Sequence, residues 1–188
     1  MAELSKYTPN LRLGIRLKTI ILLRSIAVIG QLVTCLVVSN FLNFKLPYIE
    51  VYLTIGALAL SNFILFLLYS WNKRLSETTT TFVIGADIIQ LALLIFFTGG
   101  LSNPFVMLFI VPIAISIDNL PIRSSLILIV LTIVSVSIIG LYNYPLIKSD
   151  FSYLINPPII TIGIWFSLLV TILFLSLIHI SEPTRLSV

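Results

Sequence analysis

The chain has 188 residues, of which 59% are hydrophobic and only 10% charged, and its mean hydropathy is +1.14. Soluble domains carry roughly 25% charged residues, so this composition excludes a water-exposed globular domain and predicts a chain solvated by lipid. The net charge of +4 comes from eleven Lys and Arg scattered through short polar stretches, a pattern of membrane orientation and not of nucleic-acid binding.

Lys6, Arg12, Arg16 and Lys18 precede the first apolar stretch, residues 19–41. That stretch exceeds the ~7 to 15 residues of a signal-peptide core, and no small-x-small cleavage pattern follows it. It is expected to stay as a membrane helix. Its Cys35 is the single cysteine, so it closes no internal disulfide and reads as a packing residue. The second span, residues 48–70, is closed by Trp71, Asn72, Lys73 and Arg74, an aromatic ring for the headgroup level followed by two cations. The third covers residues 80–98. Residues 99–105 break the apolar pattern, and a fourth run, interrupted by Pro112, continues to Ile117 before Asp118, Asn119, Pro121 and Arg123 mark a turn. Spans five and six are residues 124–142 and 158–178.

The expected fold class is all-α: a polytopic membrane protein of six transmembrane helices over residues 19–178, after a cytoplasmic segment 1–18. Alternating the loops between two sides puts Lys6, Arg12, Arg16, Lys18, Arg24, Lys73, Arg74 and Arg123 together, with Lys45 and Lys148 opposite. By the positive-inside rule both termini are cytoplasmic and residues 99–105 face outward.

Two charges fall inside spans. Arg24 lies about one and a half turns into the first and Asp87 about two turns into the third, both entering from the same side. A charge near the centre of a membrane helix costs ~2.5 to 3.5 kcal/mol on insertion scales. An Arg24–Asp87 ion pair joining helices one and three accounts for both; the competing reading has Arg24 snorkelling to the interface and Asp87 protonated or lining a wet crevice. Embedded Gln31 and Gln90 read as interhelical hydrogen-bonding glue, and Gly30, Gly85 and Gly140 as sites of close helix approach.

Gly99, Gly100, Leu101, Ser102, Asn103, Pro104 and Phe105 form the one compact segment whose residue choices demand a specific backbone. Paired glycines permit positive φ at a helix C-cap, and Asn103 followed by Pro104 reads as an N-cap with proline at the first helical position. By local chemistry alone this is a well-made helix-turn-helix. From Asn103 to Asp118, however, an α-helix would rise only ~22 Å, short of a ~30 Å hydrocarbon core, so the segment is expected to dip inward. Non-helical backbone at depth belongs where protein buries it or a cavity adjoins it. An amide, free helix N-terminal N–H groups and an aromatic face in one place suit a flat lipophilic molecule bearing carbonyls: a quinone stacked on Phe105 and accepting hydrogen bonds from Asn103 or the following amides.

The run Arg16, Lys18, Leu22, Leu23, Arg24 and Ala27 to Gln31, then Asp87, Gln90 and the Gly-Gly-x-x-Asn-Pro-Phe segment, resembles the RegB/PrrB family of redox-responsive sensor histidine kinases. The resemblance covers all six spans in order. It implies cytoplasmic termini, a homodimer, a bacterial inner membrane location, and sensing of the ubiquinone pool by the segment between helices three and four. It further implies that oxidised quinone lowers kinase activity and that the phosphoryl group passes to a partner response regulator. The site residues it carries over are Gly99, Gly100, Asn103, Pro104 and Phe105, with Ser102 at the position where the best-known members have glutamine.

Such a kinase needs a phospho-accepting histidine on a dimerisation helix and an ATP-binding domain, and neither is expected here. The only histidine, His179, is followed by Ile180 instead of an acidic residue, and Pro183 would break the helix that a phospho-acceptor box requires. The string from Leu175 to Arg185 matches the in-frame translation of a common transposase-based sequencing adapter. Residues 175–188 are therefore expected to be an artefact tail, with the kinase part lost beyond it. Two other function classes remain open: a small transporter or channel subunit using Arg24, Asp87 and Gln90, which the lack of a half-to-half repeat disfavours, and an intramembrane enzyme, for which no paired carboxylates, metal cluster or activated nucleophile is present.

Overall fold

In lipid, a run of twenty or so apolar residues satisfies its own backbone only as a helix. A computed structural model of the protein, which describes residues 16–70, 74–145, 147–148 and 157–181, has six α-helices in that form. They are α1 (Leu17–Asn40), α2 (Tyr48–Leu68), α3 (Glu77–Phe97), α4 (Ile110–Asn119), α5 (Ile122–Leu141) and α6 (Pro158–Ser181). Among the described residues five helices are long and apolar enough to cross a membrane, and α4 is the exception. Residues 1–15, the Trp71 to Lys73 stretch and residues 182–188 of the expected tail lie outside the described residues.

Local chemistry moves several helix starts from the sequence expectation. Helix α3 begins three residues early because the Ser76 side chain accepts from the Thr79 N–H at 3.2 Å, capping a turn of threonines. Helix α5 begins at Ile122 with Pro121 at its N-cap, so Arg123 lies in its first turn. The fourth span departs furthest. Residues Pro104–Phe109 form a 3-10 helix and only Ile110–Asn119 are α-helical. Pro112 explains the switch: it has no N–H to give the Leu108 carbonyl, so the preceding backbone tightens, with the Ile110 N–H donating to Met107 O. A 3-10 helix rises ~2.0 Å per residue, so the composite from Pro104 to Asn119 reaches about 27 Å. The shortfall expected for this span shrinks to a few ångström.

Helix α3 packs on α2 and α5, α5 packs on α6, α1 packs on α2, and α4 fills the angle between α3, α5 and α6. The α3–α6 side is joined by apolar packing, with Ile88, Phe109, Ile113, Val136, Leu168 and Ile172 all 0% exposed. A second cluster places Cys35 beside Val51, Ile55 and Leu94, where helices one to three converge. Outward, Ile26, Ile29 and Val33 of α1 and Leu53, Leu60 and Phe63 of α2 are more than half exposed. In water that surface would be an aggregation patch; in a bilayer it faces acyl chains.

The alternation of helices brings Arg16, Arg74 and Arg123 to one end, the basic end, where Arg16 and Arg74 form a backbone bridge and Glu77 accepts from the Ser124 hydroxyl at 2.6 Å. At the opposite end Phe44–Lys45 pairs antiparallel with Ile147–Lys148. This two-residue ladder, β1 with β2, is a small departure from the all-α reading, and pieces so short leave no periodic trace in a sequence.

Candidate functional site

The segment between α3 and α4 emerges at the end opposite the basic one. Helix α3 stops at Thr98, whose hydroxyl donates back to Leu94 O at 2.7 Å. Gly99 (φ 104) and Gly100 (φ 59) then take left-handed conformations that a side chain would strain. A single 3-10 turn, Gly100–Ser102, follows, closed by Ser102 N–H to Gly99 O and Asn103 N–H to Gly100 O. Asn103 staples the turn on both sides. Its Oδ1 accepts from the Phe105 N–H at 2.9 Å, and its Nδ2 donates to Thr98 Oγ1 at 2.7 Å and to Thr98 O at 3.1 Å. The N-cap role read from Asn103 and Pro104 is thus present. The donors that the sequence reading assigned to a ligand are engaged inside the turn, including the Val106 N–H, which goes to Asn103 O.

The segment presents two faces. Pro104, Phe105, Met107 and Leu108 point outward, with Phe105 41% exposed, whereas Leu101, Val106 and Phe109 are buried. The five residues carried over by resemblance and Ser102 are therefore split: Phe105 and Pro104 offer an aromatic-apolar surface, Gly99 and Gly100 are buried beneath it, and Ser102 and Asn103 are half-buried. Sequence reading passed over the contacts beneath. A Cβ on Gly100 would stand 2.5 Å from that of Asn143, and the Tyr144 N–H donates to Phe96 O at 2.9 Å. The chain leaving α5 thus lies directly on the paired glycines. Leu101 enters the α5–α6 seam over Gly140.

Two polar layers join α1 to α2 and α3, the first nearer the basic end and the second past mid-helix. In the first, Arg24 Nη2 lies 2.8 Å from Asp87 Oδ1 and donates to Ser61 Oγ at 2.8 Å. The approach to Asp87 has ion-pair distance without hydrogen-bond alignment, so Asp87 Oδ1 and Arg24 Nε and Nη1 are buried with no hydrogen bond among the described residues. Asn62 Nδ2 donates to Ser25 Oγ and Ile21 O in the same layer. In the second, Gln90 Nε2 donates to Gln31 Oε1 at 3.1 Å, with a weaker return contact at 3.5 Å. Helix α1 buries few of its apolar side chains, Leu17, Ile20 and Cys35 among them, and leaves most of its length facing outward. In lipid, where hydrophobic association between helices vanishes, such bonds hold it in place. Ser61 and Asn62 went unread, although a polar pair in an apolar run carries the same signal as Gln31 and Gln90.

Of the polar groups a transport path would use, Arg24 faces Asp87 and Gln90 faces Gln31. A groove of about 320 Å³ between α1 and α2, lined by Ile21, Val28, Phe63 and Phe66 with Ser25 and Asn62, lies away from the 99–105 segment. Among the described residues no three His, Cys, Asp or Glu gather to hold a metal ion.

A family model described as a PilS-like transmembrane domain matches residues 10–117. The chain belongs to that family. It is also 36% identical over 162 residues, 86% of its length, to "Sensor histidine kinase RegB" of Cereibacter sphaeroides. A second RegB, from a strain of that species, is 36% identical over 78 residues, covering 42% of this chain and 17% of the relative. No solved structure matches. Together these make the chain a multi-pass bacterial membrane domain of the RegB-like sensor histidine kinase type. It spans 35% of the length of the first relative. A match of 162 residues in a chain of 188 necessarily includes Gly99 to Phe105.

Proposed function

We propose that this domain senses the redox state of a membrane-soluble quinone of the ubiquinone type, in the bacterial inner membrane, at the outward face of the Gly99 to Phe105 segment. The kinase activity, ATP binding and phosphoryl transfer to a response regulator belong to a cytoplasmic part of a homodimeric parent. The observation that carries the reading is the similarity to RegB running through a segment that keeps Phe105 and Pro104 exposed above a rigid turn.

The turn suggests how binding would be felt. A quinone ring can stack on Phe105, but its carbonyls only accept hydrogen bonds. Asn103 Nδ2 is already given to Thr98 and the Phe105 N–H to Asn103. A carbonyl that reaches for either of these N–H groups gains the bond only by displacing its partner, so ligand binding there and opening of the turn are a single equilibrium. A ligand shifts that equilibrium by its differential affinity for the two forms. A quinol, which brings its own hydroxyl donors, competes less for the same N–H groups, and the two redox states bias the turn differently.

The test is binding of decylubiquinone, a short-chain ubiquinone analogue, to the purified chain in nanodiscs. Loss of the ring in Phe105→Ala is expected to remove about 0.5 to 1.5 kcal/mol, a roughly twofold to tenfold weakening. Equal binding by the parent, Phe105→Ala and Asn103→Ala would sink the site.

A further inference from the structure

Leu101 belongs to the sensing segment by sequence and to the helix bundle by packing. It is 2% exposed and shares a core cluster with Ile139 of α5 and Leu168 of α6, against which Trp165 also packs. A Cβ placed on Gly140 would stand 3.0 Å from Leu101 Cδ1 and 3.7 Å from Trp165 Cδ1. The leucine methyl and the indole edge thus meet over one glycine, where even a methyl group would press on Leu101. Trp165 is held beside that point by its N–H, which donates to Ser137 Oγ at 3.2 Å, while Ser137 donates to Ile133 O at 2.8 Å. Ser137 and Gly140 are three apart on α5 and so share a face. The indole crosses a notch of small residues, with Leu101 closing the end nearest the segment.

We propose that Leu101 is a positioning residue: by filling the Gly140 notch it sets where Trp165 seats on α5, and so ties the conformation of the Gly99 to Phe105 turn to the placement of α6. This rests on the sensing role proposed above and names its mechanical output. Packed interiors have few voids and rearrange between discrete packings. A turn that opens and withdraws the Leu101 methyls leaves a space beside the indole, which the ring follows. Helix α6 carries Trp165 and continues from it towards the basic end, so a change in its seating is transmitted along a rigid rod. Asn143, just past the end of α5, packs on Gly100 and anchors the turn, while Leu101 is the residue of the turn that meets Trp165 of α6 over Gly140.

The experiment uses the full chain in nanodiscs, labelled with 5-fluorotryptophan and carrying Trp71→Phe, so that Trp165 is the sole fluorine reporter of the two tryptophans. Without ligand, Leu101→Ala is expected to move the Trp165 resonance by more than its linewidth, and Leu101→Met to return it towards the parent. Leu101→Val gives the same comparison if the alanine chain does not accumulate. With decylubiquinone, the parent resonance is expected to shift, while Leu101→Ala binds the probe without a matching shift. An unliganded resonance indifferent to residue 101, or a full probe-induced shift in Leu101→Ala, overturns the positioning role. Failure of the parent to bind the probe overturns the quinone reading instead, and the unliganded comparison then decides the role of Leu101 by itself.

Discussion

Replacing Asn103 by alanine removes three hydrogen bonds at once, those to the Phe105 N–H, Thr98 Oγ1 and Thr98 O. Loss of an N-cap costs about 0.5 to 2 kcal/mol, and each further side-chain hydrogen bond contributes about 1 kcal/mol net. Thr98 Oγ1 keeps its bond to Leu94 O, so its hydroxyl is not orphaned. A net local cost of about 2.5 to 4 kcal/mol follows, which converts to a roughly 60- to 800-fold rise in the opening equilibrium of the turn. Amide hydrogen exchange reads this directly at Phe105 and Val106, while the Ile88 and Leu91 amides within α3 serve as internal controls. Asn103→Asp keeps the acceptor for Phe105 and loses the two donors, so it should fall between alanine and the parent. If Asn103→Ala leaves exchange at Phe105 and Val106 unchanged, Asn103 is not the staple of the turn.

Other expectations follow from the same geometry. Truncating Asp87 to alanine leaves the Arg24 guanidinium buried without its counter-charge and should cost about 3 kcal/mol in an unfolding assay in detergent, with Arg24→Leu/Asp87→Leu recovering most of it. A double-mutant cycle on Gln31 and Gln90 should yield a coupling of only about 0.6 kcal/mol, as bonds of 3.1 and 3.5 Å between transmembrane helices suggest. Gly100→Ala should destabilise the domain sharply, because its φ is +59 and the new Cβ would stand 2.5 Å from that of Asn143. Gly30→Ala, with nothing within 4 Å, should be neutral or gain up to about 1 kcal/mol in thermal stability.

Sequence alone determined the elements that depend on nearest neighbours and on lipid as solvent. Apolar length gave the helices, loop charge put Arg16, Arg74 and Arg123 at one end, and Gly-Gly and Asn-Pro marked where α3 stops and the next helix begins. Depth along two helices was enough to set Arg24 and Asp87 at one level. What the tertiary structure decided were the contacts between residues remote in the chain. Of the three embedded glycines, Gly140 takes a contact at 3.0 Å, Gly85 ordinary side-chain contacts from 3.5 Å, and Gly30 none within 4 Å, a distinction no local pattern encodes. The 3-10 start of the fourth span depended on how the backbone relieves Pro112, and Ser61 as the partner of Arg24 depended on the rotation of α2. The Gly99 to Phe105 segment was legible as a capped turn because caps are local. That its Leu101 reaches the α5–α6 seam, and that Asn143 lies on its Gly100, follows from where the bundle places Gly140, Asn143 and Trp165, some forty to sixty residues away.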